Sequence, residues 1–437
     1  MESISRYFRL KEEGSTVRRE FIAGLTTFFA MAYILFVNPT VLGAAGMDKG
    51  AIFTATAIAS AFGTIVMGIL ANYPIAIAPG LGMNAFFAYS VVIGMKIPWQ
   101  TAMAGVFLSA IIFMILTFFK IREIVINAIP RDLKLAIAAG IGLFIAFIGL
   151  HQGGLIVANP ATMVSFGPLT TPTTWLTIFG LIVSFILVVK RVPASIFIGM
   201  VLTALVGLAT GLIKAPSSIV SLAPSLKPTF GAGVTHIGSI NSVQLLIVVL
   251  TFLLVAFFDT AGTLIGLAEQ AGFINEKGEM PRVGRALFAD SSSVLLGSIL
   301  GTSPTSTFIE SSAGIAVGGR TGLTSVFVGI FFLFSMLFSP LLSVFTVQVT
   351  APALIVVGVL MASNLAGIEW NKLEVGIPAF LIVLGMPLTY SISDGIALGM
   401  FAYPITMFAA KRGKEVNVVM WLLFIVFALF FYVMNTK

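Results

Sequence analysis

Glu310 closes the run Gly301-Thr302-Ser303-Pro304-Thr305-Ser306-Thr307-Phe308-Ile309-Glu310, between an apolar stretch over 292–300 and another from Leu323. A carboxylate at membrane depth costs at least about 2.5–3.5 kcal/mol on insertion scales, so it normally faces a cavity or a partner and marks function. Irregular polar backbone survives at that depth only where protein buries it or water lines it. The run therefore predicts an extended stretch over 302–305 and a half-helix opening near Thr307, whose positive end would stabilise the charge of Glu310. A carboxylate accepts two parallel N–H bonds, which makes substrate binding its functional reading. The bland reading is a cap or an ion pair, but the apolar blocks hold no Lys or Arg beyond Lys134, at the very start of the 132–150 block.

Asp259 stands in Phe257-Phe258-Asp259-Thr260-Ala261-Gly262-Thr263, with apolar sequence on both sides. Burial disfavours the charged form of an acid, which suits a proton carrier; a silent interhelical hydrogen bond is the alternative. Asn84, in Gly80-Leu81-Gly82-Met83-Asn84-Ala85-Phe86, offers a donor and an acceptor to a ligand, or serves as a helix N-cap. Thr26 and Thr27 interrupt the first apolar block, where back-bonding to the preceding turn competes with ligand contact. Phe258 and Phe308 flank the carboxylates and suit stacking on a flat ring, although with 39 phenylalanines any one of them is more often packing. Three further acids read as local: Asp290 as an ion pair or cap near Arg285, Glu269 as solvated, and Asp394 as a helix N-cap. Carboxylates, an amide, hydroxyls and aromatics together suit a small, flat, neutral molecule rich in N–H groups. An anion fits poorly because nothing cationic is buried. A buried acid that must be protonated for one step couples transport to protons, with no cofactor.

These residues have to be positioned by membrane helices. Of 437 residues 58% are hydrophobic and 9% charged, against roughly 25% charged in soluble domains. The chain is thus an all-α polytopic membrane protein. It has no cysteine and two histidines, which excludes disulfides and leaves little scope for a metal cluster. The net charge of +7 lies in short loops and points to membrane orientation, not to nucleic acid. Residues 1–20 carry no cleavable signal.

Apolar blocks fall at 21–42, 51–71, 82–95, 101–119, 132–150, 174–189 and 194–213, then at 243–267, 286–300, 307–317, 323–347, 352–367, 374–390 and 391–410. Several are shorter than the ~20 residues of a full span, which predicts half-helices and steep tilts. Arg18 and Arg19 place the N-terminus in the cytoplasm; alternation then puts the basic residues Lys120, Arg122, Lys190, Arg191, Lys277, Arg285 and Arg320 inside, and 214–242 outside. Seven spans before that loop and seven after it have opposite orientation, the arithmetic of an inverted repeat. The third block of each half is short and follows an interrupted segment, with Pro79 five residues before Asn84 and Pro304 six before Glu310. A final run at 416–433 would make a fifteenth span, so the side of the C-terminus stays open.

At these residues the chain resembles the nucleobase–cation symporter-2 superfamily, in its purine (adenine/guanine/hypoxanthine) permease branch. The segments that carry the resemblance are residues 24–33 (Gly24-Leu25-Thr26-Thr27-Phe28-Phe29 onward), 79–85, 258–264 and 301–322 with Ile309-Glu310-Ser311-Ser312-Ala313-Gly314. The resemblance implies 14 transmembrane segments as two inverted 7-span repeats, with broken helices 3 and 10 preceded by short extended segments. It implies a core domain from 15–120 (spans 1–4) and 243–347 (spans 8–11), and a gate domain from 121–242 (spans 5–7) and 348–437 (spans 12–14 and the C-terminal segment). It also implies a homodimer through the gate domains. The implied activity is proton-coupled import of purine nucleobases, guanine and hypoxanthine ahead of adenine, across the bacterial cytoplasmic membrane. By position Glu310 matches the family's substrate-binding acid, Asp259 the acid of span eight, Asn84 the polar residue of span three, and Phe308 a residue lining the pocket. The uracil and xanthine branches carry Glu where this chain has Asp259, whose neighbours Phe258, Thr260 and Gly262 fit the purine branch. The competing readings are a uracil or xanthine symporter, an anion transporter of the same architecture, and a membrane aspartyl protease. The last needs a Gly-x-Gly-Asp setting that neither Asp259 nor Asp394 has.

Overall fold

The computed structural model describes residues 2–119, 129–240, 243–273 and 280–435. The basic residues Lys120, Arg122 and Lys277 lie outside them.

Thr16 opens α1 (Val17–Met31) by accepting from the Arg19 amide at 3.3 Å. The first apolar block, expected as one span over 21–42, then breaks: Ala32 and Tyr33 separate α1 from α2 (Ile34–Ala44). The Leu35 and Phe36 amides bond back only three residues, to the Ala32 and Tyr33 carbonyls, which tightens the chain there. Asp48 caps α3 (Lys49–Val66) by accepting from Ala51 at 2.7 Å. A π-helical turn, Met67–Ala71, leads to β1 (Ile77–Pro79). α4 (Leu81–Ala85) continues as a π-helix over Phe86–Gly94. α5 (Trp99–Phe118) and α6 (Arg131–Gln152) follow. A hairpin of β2 (Ile156–Asn159) and β3 (Met163–Phe166) precedes α7 (Pro172–Val189) and α8 (Ser195–Ala209).

The second half opens with α9 (Val243–Ala271) and α10 (Val283–Leu300), then β4 (Thr305–Thr307) and the short α11 (Ser311–Ala316). It continues with α12 (Gly322–Ser335), α13 (Val347–Ala362), α14 (Leu373–Thr389), α15 (Ile392–Ala409) and α16 (Val418–Asn435). Among the described residues, nine continuous helical stretches of 18 residues or more are apolar enough to cross a membrane, α1 with α2 counting as one and α3, α12 and α13 with the turns that extend them. α9, at 29 residues, has that length too. The chain is a multi-pass integral membrane protein.

α3 packs on α12 and α10, α5 on α10 and α9, and α1 on α12. Elsewhere α6 packs on α13 and α14, α7 on α8 and α13, and α14 on α15. Glycines permit the closest crossings, since lipid gives helices no hydrophobic drive to associate and small residues let backbones approach. A Cβ on Gly358 of α13 would lie 2.4 Å from the Gly142 carbonyl of α6, and one on Gly322 would lie 2.0 Å from the Gly68 carbonyl.

α14 and α15 form a full-length hairpin: Gly395 abuts Met386 near the turn, and at the far end the Thr406 hydroxyl donates to the Glu374 carbonyl at 2.7 Å. The run at 416–433, whose fate the sequence left open, becomes α16. It packs on α15 and α9, with the Phe424 ring stacked 4.8 Å from that of Phe401.

Candidate functional site

Two short strands meet in the interior, one from each half of the chain. β1 pairs antiparallel with β4, placing Ile77 opposite Thr307, Ala78 opposite Ser306 and Pro79 opposite Thr305. The Gly80 amide extends the ladder to the Pro304 carbonyl at 3.0 Å, and the Phe308 amide to Ala76 at 2.9 Å. Hydroxyls satisfy groups the two-stranded ladder leaves over. Thr64 Oγ1 accepts from the Ile77 amide at 2.9 Å and donates to its carbonyl at 3.0 Å, and Ser311 Oγ accepts from the Ala76 amide at 3.0 Å. With no water in a bilayer core, such partners let extended backbone sit at depth.

Each strand feeds a short helix, β1 into α4 and β4 into α11. Pairing with β1 keeps the second segment extended through Thr307, so the strand covers Thr305–Thr307 instead of 302–305 and the half-helix opens at Ser311, not near Thr307. Glu310 is therefore the N-cap residue of α11, and among the described residues its side chain makes no bond to that helix's own amides. Its carboxylate turns to Tyr33, whose hydroxyl donates to Oε1 at 2.5 Å. Glu310 is half-buried, while Tyr33 is 1% and Phe308 3% exposed. The rings of Tyr33 and Phe308 lie 6.5 Å apart at 44°, which places Phe308 beside the phenol that holds Glu310.

Asp259, on α9, accepts the Ser306 hydroxyl of β4 on Oδ2 at 2.6 Å. A Cβ on Gly80 would lie 3.1 Å from the same oxygen, which sets the carboxylate against the backbone at the start of α4. One acid thus sits at the N-cap position of the second half-helix and the other lies at the start of the first. Asp290, expected as a local ion pair or cap near Arg285, is instead buried and accepts from the Thr260 hydroxyl at 3.0 Å. Arg285 is exposed and donates to the Leu70 carbonyl at 3.5 Å. Asp394 is not the cap of α15: Ser391 is, accepting from the Asp394 amide at 3.3 Å.

Asn84 lies in α4, whose N-cap is Gly80, so the capping reading does not hold. Its amide nitrogen donates to Asn38 Oδ1 at 3.2 Å. Asn38 is itself fully engaged: its nitrogen donates to Thr56 and Thr302, each at 2.8 Å, and its oxygen also accepts from Ser303 at 3.2 Å. These bonds fix which way both amides point. Asn84 Oδ1 is left buried and, among the described residues, without a hydrogen-bond partner.

Of the threonine pair, Thr26 bonds back to the Ile22 carbonyl at 2.8 Å, as its bland reading has it. Thr27 is fully buried against α11, where a Cβ on Gly314 would lie 2.1 Å from its hydroxyl oxygen. That oxygen has no hydrogen-bond partner among the described residues. The side chains of Phe258 and Glu269 lie outside the described residues.

Tyr33 and Asn38 escaped the candidate residues. A signal existed: each is a polar group within an apolar block, Tyr33 one of seven tyrosines in the chain and Asn38 directly before Pro39.

The arrangement offers acceptors: two carboxylates and an amide oxygen, with aromatic rings beside one acid. The model of the Permease family, Xan_ur_permease, matches residues 18–398. The guanine/hypoxanthine permease PbuG of Bacillus subtilis is 55% identical over 434 residues, covering 97% of this chain and 98% of its own. The adenine permease AdeP of Escherichia coli is 45% identical, covering 97% of this chain and 95% of its own. Among solved structures, the transmembrane domain of the cyanobacterial bicarbonate transporter BicA superposes with a TM-score of 0.63 at 15% identity, covering 90% of this chain and 97% of that one. That likeness concerns the fold alone.

Proposed function

The chain belongs to the Permease family, and on that premise we propose that it imports purine nucleobases by alternating access in symport with protons. It is a transporter, not an enzyme, of the cytoplasmic membrane, as in its bacterial relatives. Guanine and hypoxanthine are its principal substrates, with adenine after them.

The observation that carries the reading is Glu310, a half-buried carboxylate at the N-cap of a half-helix, held by Tyr33 beside Phe308. Purine edges present N–H donors, and a carboxylate accepts them with charge-assisted bonds. The ring face lies on Phe308, and the free oxygen of Asn84 accepts a further N–H. Asp259 carries the coupling proton. Its bond from Ser306 ties it to the strand that leads to Glu310, so a change in its charge is felt where the base binds.

The architecture belongs to the same proposal: fourteen spans as two inverted seven-span repeats, with α16 additional to them. The antiparallel β1–β4 pair, each strand leading into a half-helix, supports it. The packing of α3, α5, α10 and α12 with one another, and of α6, α7, α13 and α14, supports core segments 15–120 and 243–347 and gate segments 121–242 and 348–437. A homodimer through the gate domains, surrounded by lipid, completes it. An anion transporter is the second reading, because the BicA domain shares the fold. It is disfavoured because, among the described residues, the side chains that bond to Glu310 and Asp259 are hydroxyls rather than cations.

The test is uptake of radiolabelled hypoxanthine into a purine-transport-deficient strain, competed with unlabelled guanine, adenine, uracil and xanthine, with and without a protonophore. Competition by guanine and collapse under the protonophore are expected. Asp259→Asn should lose uphill accumulation and keep exchange; accumulation retained in that variant removes Asp259 from the coupling role.

A further inference from the structure

Binding at Glu310 leaves one contact without a purpose. The Tyr33 hydroxyl occupies Oε1 at 2.5 Å from a turn between two helices, on a ring that is 1% exposed. The phenol cannot swing out to solvent from there. A carboxylate has two oxygens to offer a ring edge, and here one already has a donor on it.

We propose that Tyr33 is a specificity-determining residue: by holding one oxygen of Glu310 it cancels the advantage guanine would draw from its 2-amino group, so that hypoxanthine is carried on near-equal terms. The inference rests on the reading of Glu310 as the purine-binding acid. Guanine places N1–H and one N–H of the 2-amino group side by side, the donor pair that a carboxylate accepts with both oxygens. Hypoxanthine has N1–H alone on that edge. An open carboxylate would favour guanine by one further charge-assisted bond, worth about tenfold or more in affinity. With Tyr33 on Oε1, the amino group has to share that oxygen with a phenol already seated at hydrogen-bond distance and gains less from it. The N1–H bond on Oε2 is open to both bases. Phe308 beside Tyr33 serves either ring equally, since stacking does not read the 2-position.

The experiment measures inhibition of radiolabelled hypoxanthine uptake by unlabelled guanine and by unlabelled hypoxanthine, in cells expressing the full chain as wild type and as Tyr33→Phe. In the wild type the two bases should inhibit within about threefold of one another, and in Tyr33→Phe guanine should gain about tenfold over hypoxanthine. A purely structural role for Tyr33 lowers uptake of both bases together and leaves their ratio unchanged; that result overturns the proposal. The wild-type ratio needs no variant to fold, and a wild type that already prefers guanine tenfold or more overturns it equally. Absence of uptake of either base by the wild type sinks the transport reading itself, a failure distinct from an unchanged ratio with uptake intact.

Discussion

The two strand–half-helix units are alike in plan and unlike in content. β1–α4 is buried throughout, and α4 runs on without a break into Phe86–Gly94. Its polar group, Asn84, is pinned through Asn38 to α3 and to the segment before β4. β4–α11 carries a carboxylate at its helix N-cap, and α11 ends after six residues. Here Glu310 is only half-buried, with a single phenol on it. The first unit is an anchor with one fixed acceptor. The second holds the charge and the access. In the proposed function, this pair of strands joins a stiff half to the half that would read the ligand.

The largest expected effect separates those roles. Glu310→Gln replaces one accepting oxygen with a donor and removes the charge, so purine uptake should fall by at least about a hundredfold, the scale of a lost charge-assisted pair. Asn84→Ala deletes one neutral acceptor and should cost about tenfold in apparent affinity. Kinetics of hypoxanthine uptake for both variants check the order. If Asn84→Ala is the more damaging, the anchor and the reader have been assigned the wrong way round.

Next comes a backbone test of the second unit. A Cβ on Gly314 would lie 2.7 Å from the Ala23 carbonyl as well as 2.1 Å from Thr27 Oγ1. Thr27 has a rotamer to offer but the carbonyl does not, so α11 would have to part from α1. Gly314→Ala should cost about 1–3 kcal/mol as overpacking, read as a lower melting temperature in detergent and a matching loss of protein in the membrane.

Asn38→Leu probes the anchor without touching the reader. It removes four hydrogen bonds and frees Asn84 to turn. The expected result is a rise of about tenfold in KM with a Vmax close to normal, since the acids are untouched. A collapse of Vmax instead would mean that the network also sets the position of β4.

How far the sequence revealed this site depended on where each constraint is written. Pro79, Pro304 and the Thr/Ser run announce broken backbone because their chemistry is local, and Glu310 and Asp259 stand out because acids are costly in lipid. The start of α11 is not legible locally, because Thr305–Thr307 stays extended through pairing with Ile77–Pro79, a partner far away in the chain. The same distance hid Tyr33 and Asn38: each sits in an apolar block and gains its meaning from Glu310 or Thr302 in the other half. Ser306 reads as one more hydroxyl until the fold sets it on Asp259. Asp394 differs from its reading as a cap for a smaller reason: Ser391, an equally good capping residue three positions earlier, already opens the helix.

The smallest expected effect completes the contrast with Gly314. A Cβ on Gly82, in α4, would lie 2.5 Å from Ile141 Cγ2 of α6, and the next atoms, at 3.8 and 3.9 Å, belong to the same side chain. The obstacle is therefore one side-chain methyl rather than backbone; it sits on the β-branch of a helical isoleucine whose χ1 is stiff, so a small shift of the α4–α6 contact relieves it rather than a change of rotamer. Gly82→Ala should cost about 1 kcal/mol, the low end of overpacking, with a melting temperature only slightly below that of the wild type. The position also distinguishes stability from motion, because α4 here touches a helix of the other packing group. Normal melting with slowed uptake would mean that α4 slides past α6 during transport and that the anchor is fixed only relative to its own neighbours. Normal melting with normal uptake would leave movement to the second unit, where Gly314 allows α11 its close seat against α1.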